Sequence, residues 1–182
     1  MKGDAMNDDG VTLKPIINVA DVELQPRPPA FAAAGAAAQR FDARMGMVGA
    51  RIGAKLLGYN ITAVPPGKRA FPLHNHMVNE EMFFILEGSG ELRLGDATHP
   101  IRSGDIIACP PGGPETAHQF VNTGDVELKY LAVSTALSPE VCTYPDSDKF
   151  AVSVYGDSGK PGDWRFRHVG RKEDGLGYWE GE

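Results

Sequence analysis

Short apolar runs alternate with clusters of turn-forming residues along most of the chain. Residues 56–64 form the first clear run, ended by Pro65, Pro66 and Gly67. Residues 82–86 are strongly apolar and stop at Glu87, Gly88, Ser89 and Gly90. Residues 91–94 alternate polar and apolar, and Gly95 and Asp96 turn the chain. Residues 97–101 follow, then a second turn at Ser103, Gly104 and Asp105. Residues 106–109, 118–121 and 126–134 continue the series. Runs of this length bounded by Gly, Pro and Asp predict strands. Turn signals recurring about every 8–12 residues predict an all-β sandwich or barrel. No repeat of fixed period interrupts the pattern.

The flanks read differently. Residues 1–10 are polar and rich in Gly and Asp, which predicts a disordered tip. Residues 15–19 are apolar enough for a strand, and the Pro-rich residues 25–29 predict an extended linker. Residues 30–39 are Ala-rich and suit a short helix. Gly35, Gly46, Gly49 and Gly53 argue against one continuous helix. Beyond Leu137 the chain turns Pro/Asp/Gly-rich and reads as an irregular tail. Trp164, Tyr178 and Trp179 in that tail are expected to pack on the barrel or on a partner subunit. The organisation expected is an N-terminal arm (1–54), a β-barrel (55–135) and a C-terminal extension (136–182).

Composition narrows the function classes. The 182 residues are 42% hydrophobic and 23% charged, which fits one compact soluble domain. The net charge of -6 disfavours nucleic-acid binding. Residues 40–69 run against that average, with Arg40, Arg44, Arg51, Lys55, Lys68 and Arg69 against Asp42 alone. They read as a solvated surface, or as a rim that attracts an anionic small molecule. No apolar run approaches the roughly 20 residues that span a membrane, and no leader pattern opens the chain. Cys109 and Cys142 lie in no metal-finger or C-x-x-C spacing, which points to a reducing cytoplasm with both thiols free. Cys109 reads as a small buried thiol.

The candidate chemistry lies between residues 74 and 122. His74 and His76 are separated by one residue, so on a strand they share a face. Glu80 and Glu81 follow, and Glu81 leads into the apolar run with Phe83 and Ile85 on its own face. Two imidazoles and a carboxylate then converge among apolar walls. Burying them without an ion would leave several polar atoms needing partners. His118 opens another strand after a Gly/Pro-rich loop at residues 110–114. His99 and His168 stand in no comparable context and are expected at the surface.

These residues resemble the motifs of the cupin superfamily. The first motif is a Gly, an H-x-H pair, a Glu after a short gap, then six residues and a Gly. Here Gly67, His74, His76, Glu81 and Gly88 take those places, with Gly67 one residue further from His74 than the common pattern. The six-residue spacing to Gly88 selects Glu81 over Glu80. The second motif runs through Gly104, Pro110, Gly112, His118 and Asn122. It departs in the gap from Gly112 to His118, which is five residues long where two is usual, and this lengthens the loop beside the site.

The resemblance implies a small antiparallel double-stranded β-helix, the jelly-roll or cupin barrel. It implies one divalent metal, Mn, Fe, Zn, Ni or Co, held by His74, His76, Glu81 and His118. It also implies a homodimer, with residues 15–19 a candidate for pairing to a partner's sheet edge. Four protein ligands leave two positions on a six-coordinate ion, which suits a small oxygen-rich substrate such as a sugar, a sugar phosphate or an oxo acid. Isomerase or epimerase chemistry is the first expectation, and dioxygenase or decarboxylase chemistry the second. A non-catalytic ligand-binding barrel and a purely structural zinc stay open. Phe83, Ile85 and Phe120 are expected to line the pocket. Glu80, Glu115 and Tyr130 are candidates for moving a proton, although parity points Glu80 outward.

Overall fold

The computed structural model describes residues 14–156 and 163–182. The expected tip at residues 1–10 lies outside them. Two short strands come first, β1 (Gln25–Pro26) and β2 (Arg44–Met47). The central strands are β3 (Leu57–Val64), β4 (Asn75–His76), β5 (Glu81–Glu87), β6 (Ser89–Leu94), β7 (Ala97–Arg102), β8 (Ile106–Cys109), β9 (His118–Val121) and β10 (Leu128–Thr135). Three more follow: β11 (Glu140–Tyr144), β12 (Lys149–Tyr155) and β13 (Trp164–Arg171). Only 3-10 turns occur between them among the described residues.

The strands are antiparallel and make two facing layers. One layer runs β1-β2-β3-β10-β5-β8. The other combines the sheets β7-β6-β9 and β4-β11-β12-β13, joined by a bridge between His74 and His118. The core between the layers includes Val64, Phe83, Ile85, Leu92, Phe120 and Leu128. Alternation decides which residues enter it: Phe83 and Ile85 are buried on β5 while Met82, Phe84 and Leu86 beside them are only half-buried. The all-β jelly-roll expectation holds.

Turn glycines act as their positions require. Gly88 joins β5 to β6 at φ +79°, and a Cβ there would collide with the Glu127 backbone oxygen. Asn122 is fully buried; its amide donates to the Val64 and Val126 carbonyls, and its oxygen accepts from Gly124 N–H. The second motif's Asn is therefore a fold residue, remote from the metal ligands in role.

Both flanks depart from expectation. Residues 15–19 form no strand, because Asn18 caps a 3-10 turn over Val19–Asp21 by accepting from Ala20 N–H. Ile17, Val22 and Val48 instead pack with Ile61 in a second apolar cluster. The Ala-rich stretch makes two 3-10 turns, Pro29–Phe31 and Gly35–Gln39, in place of an α-helix, since Gly35 sits at φ +56°. The C-terminal extension is not irregular. Its alternating segments, Lys149–Tyr155 and Trp164–Arg171, pair as a hairpin, and β11 joins that hairpin to β4. Trp164 packs edge-on against Phe31, with ring centroids 5.8 Å apart. Tyr178 and Trp179 do not pack on the barrel: they are 86% and 78% exposed and touch each other.

Candidate metal centre

Three strands deliver the predicted ligands. His74 precedes β4 and His76 ends it, Glu81 opens β5, and His118 opens β9. Pairing does the rest, since the His74–His118 bridge brings two imidazoles together with ring centroids 4.7 Å apart. Ligand atoms of His74, Glu81 and His118 lie within 4.8 Å of one another. Glu81 Oε2 is 2.9 Å from His118 Nε2 and 3.2 Å from His76 Nε2. Two of the histidines thus meet one carboxylate oxygen, and all four predicted ligands line one cavity.

The donor set fits a divalent cation. Nδ1 of His74 lies 2.9 Å from the Pro72 carbonyl oxygen, and Nδ1 of His118 lies 3.3 Å from that of Thr116. With each Nδ1–H directed at a carbonyl oxygen, Nε2 is the nitrogen that would face an ion. An ion about 2.1 Å from each donor would set the donors roughly 3–4 Å apart, close to the spacing found.

Electrostatics prepares the same set. Burial, reinforced by the neighbouring His118, pushes the His74 pKa down to about 4, so this imidazole is neutral at neutral pH. Burial would raise the Glu81 pKa, but hydrogen bonds to His118 and His76 overturn it and hold the group as a carboxylate. For His76, burial again opposes charge, and contacts with Cys142, Glu140 and Glu81 raise its pKa. A bound cation would take the place of that proton.

The structure adds residues that the sequence pattern did not reveal. Nδ1 of His76 stands 3.3 Å from Cys142 Sγ and 3.5 Å from Glu140 Oε2. Both partners belong to β11, whose Cys142 pairs with His76 across the ladder. Glu140 is buried and already accepts backbone N–H groups from Met77, Val78, Asn79 and Val141. Its oxygens are thus engaged, which marks it as an orienter of His76 rather than a ligand of a second ion. Tyr144 of the same strand stacks near His74, at 6.2 Å between ring centroids.

The other predicted residues divide. Phe83, Phe120 and Tyr130 line a cavity of about 200 Å³ above the ligands. Ile85 does not: it is fully buried in the core, two residues along β5 from Phe83. Glu80 is exposed and its backbone N–H binds Thr135 Oγ1, so it does not reach the cavity. Glu115 is exposed too, with Oε1 accepting from Gly113 N–H in the lengthened loop. That loop folds back on β4, where Gly112 O accepts from Asn75 Nδ2 at 2.7 Å and Gly112 N–H donates to the His76 carbonyl. Cys109 pairs with Glu81 across the ladder, and burial together with the Glu81 charge pushes its thiol up to about 12. Both cysteines are free thiols, and His99 and His168 are exposed. None of the six basic residues at 40–69 lines the cavity. Arg44 pairs with Glu127 at 2.6 Å, and Lys68 donates to the Ala38 and Gln39 carbonyls. No helix among the described residues is long and apolar enough to cross a membrane.

Comparison with known proteins agrees with this geometry. Residues 60–134 match the family model for the cupin domain. The chain is 37% identical over 82 residues to the uncharacterized protein MJ1618 of Methanocaldococcus jannaschii, covering 45% of this chain and 55% of that protein. It is 34% identical over 70 residues to an oxalate-binding protein of Thermotoga maritima, covering 38% and 54%. The chain thus spans about half the length of the curated relatives it matches. Among solved structures, a sugar phosphate isomerase from a cupin superfamily of Silicibacter pomeroyi superposes with a TM-score of 0.69 at 26% identity, over 87% of this chain and 94% of that one. The motif residues converge within and beside the matched segment, so residues 60–134 are similar to the cupin domain and the chain has the cupin fold.

Proposed function

We propose that this protein is a metal-dependent enzyme acting on a small oxygen-rich substrate, with isomerase or epimerase chemistry the leading reaction class. One observation carries the reading: three imidazoles and the Glu81 carboxylate converge at the base of a cavity of about 200 Å³. That volume is smaller than the roughly 300–1,000 Å³ of sites for drug-sized ligands, which selects a compact substrate. His74, His76, Glu81 and His118 would hold the ion. When bound, it would polarise a substrate carbonyl. The cavity walls at Phe71, Phe83 and Phe120 exclude water from the carbon skeleton. Tyr130 lines the cavity with its pKa raised, chiefly by burial, so it presents a neutral O–H to a substrate oxygen. The whole-chain likeness to a sugar phosphate isomerase supports this class.

A second reading rests on the same lining. Glu81 is the only carboxylate among the residues that line the cavity, so no free carboxylate base faces the substrate. That favours chemistry that needs chelation alone, such as decarboxylation of an oxo acid or simple binding of a dicarboxylate. The similarity to an oxalate-binding protein leans the same way.

The deciding experiment loads the protein with Mn, Fe, Ni or Zn and offers small aldoses, ketoses and their phosphates in deuterated water. Deuterium entering the carbon beside the carbonyl, lost in His118→Ala, is the isomerase outcome. Release of carbon dioxide from oxo acids without deuterium exchange moves the assignment to the second reading. Saturable binding with neither reaction marks a ligand-binding barrel.

A further inference from the structure

The cavity has two chemically distinct ends. The metal ligands gather at one, with Glu81 supplying the only lining carboxylate. The wall formed by β3 and β10 makes the other, where Asn60 and Tyr130 face inward. Tyr130 is 1% exposed, and its hydroxyl has no partner of hydrogen-bond geometry. Thr62, directly across the ladder, is near enough to be felt but donates its own hydroxyl to Asn60 Oδ1 at 2.7 Å. That bond assigns the Asn60 oxygen and leaves its amide N–H groups for the cavity.

A cation lies behind the Ala70–Phe71 side of the cavity. Arg27, from the Pro-rich segment of the N-terminal arm, places its guanidinium 4.2 Å from the centroid of the Phe71 ring and donates to the Ala70 carbonyl. Phe71 and Ala70 are both lining residues. The Arg27 Nε is buried and has no hydrogen-bond partner, and Arg27 is not itself among the residues that line the cavity. Burial lowers the Arg27 pKa, and the nearby Tyr130 and Asp42 raise it. Two orphaned donors, a phenol and a guanidinium nitrogen, thus stand in one neighbourhood. Buried polar atoms are rarely left without partners, and those at a cavity wall are the ones a ligand satisfies.

We propose that Tyr130 and the Asn60 amide, backed by the Arg27 charge held behind Phe71 and Ala70, form an oxyanion-binding end of the cavity, which takes the distal carboxylate or phosphate of a substrate whose near end chelates the metal. The proposal rests on the chelating-substrate reading above and adds the substrate's charge. Arginine suits the backing role, because its guanidinium stays charged and stacks on an aromatic face. The basic residue that matters is then Arg27 and not one of the basic residues at 40–69.

Matched ligand pairs test it on Mn-loaded protein by titration calorimetry. 2-Oxopentanoate and 2-oxoglutarate share the chelating 2-oxo acid and differ only in a distal methyl or carboxylate. Dihydroxyacetone and its phosphate make the corresponding pair for phosphate. The wild type should bind the distal anion of at least one pair about 10-fold tighter than its neutral partner; which pair does so tells carboxylate from phosphate. Arg27→Met keeps the apolar stem against Phe71, and it should erase that preference while binding the neutral partner as before. Tyr130→Phe should reduce the preference in part, and serves if Arg27→Met fails to fold. Equal binding within both pairs by the wild type overturns the proposal and leaves the chelation reading standing. Preference retained by both variants also overturns it. If no member of either pair binds although manganese is retained, the chelation reading falls and the proposal falls with it.

Discussion

Glu140 Oε2 stands 3.5 Å from Nδ1 of His76, placing a buried carboxylate behind an imidazole whose Nε2 faces Glu81. Strand β11 lies beyond the family-matched segment, yet it contacts a candidate ligand inside it. Such carboxylate–histidine pairs raise ligand basicity and lock the ring.

Glu140→Gln keeps the shape and removes the charge. Metal affinity should fall about 10- to 100-fold, with all four ligands still in place. Competition with a chelator of known affinity measures it, and unchanged affinity would mean that Glu140 serves only the backbone of residues 77–79.

Acid should uncover the same carboxylate. Burial would raise the Glu140 pKa, but hydrogen bonds from His76 and Asn79 pull it down to about 2, against 4.5 for a free carboxyl. Between those values the unfolded chain binds a proton that the folded chain does not. Stability from this group is therefore complete above about pH 4.5 and lost as pH falls toward 2. Metal-free wild type should lose urea resistance between about pH 5 and pH 3 more steeply than Glu140→Gln. Parallel losses in the two proteins would assign the acid sensitivity elsewhere.

Glu80 and Glu81 are adjacent in sequence and opposite in role. Wild type should hold about one metal equivalent by elemental mass spectrometry. Glu81→Gln, His74→Ala and His118→Ala should lose most of it, and Glu80→Gln should keep it. A loss in Glu80→Gln equal to that in Glu81→Gln would reverse the carboxylate assignment.

Asn122 belongs to the same motif as His118 but holds the chain, not the ion. Asn122→Ala leaves the Val64 and Val126 carbonyls and the Gly124 N–H without their partner. The cost should be about 2–4 kcal/mol of stability, with metal stoichiometry preserved in the folded fraction. Chemical denaturation beside metal analysis separates the two effects.

The two cysteines should differ in reactivity. The Cys109 thiol is buried and pushed up to about 12, so alkylation of native protein at about pH 8 should spare it. Cys142 is partly accessible beside His76 and should react first. Peptide mapping after labelling distinguishes them, and labelling of Cys109 before unfolding would contradict its burial.

The sequence by itself determined the barrel and picked out the candidate ligands. Strand alternation and turn residues are local signals, so the runs that became β3 and β5 to β10 were legible to within a few residues. His74, His76 and Glu81 lie within one short segment, where parity alone sets their facing. The tertiary structure decided what has no spacing to read. β11 reaches His76 by pairing across the ladder, so Glu140 and Cys142 carried no motif. The Pro/Gly-rich composition of the tail hid its hairpin, because turn residues between strands outweigh the alternation inside them. Arg27 meets the cavity wall only because the N-terminal arm folds back over it, bringing its side chain against Phe71. Contacts made by distant segments depend on packing, which no local pattern encodes.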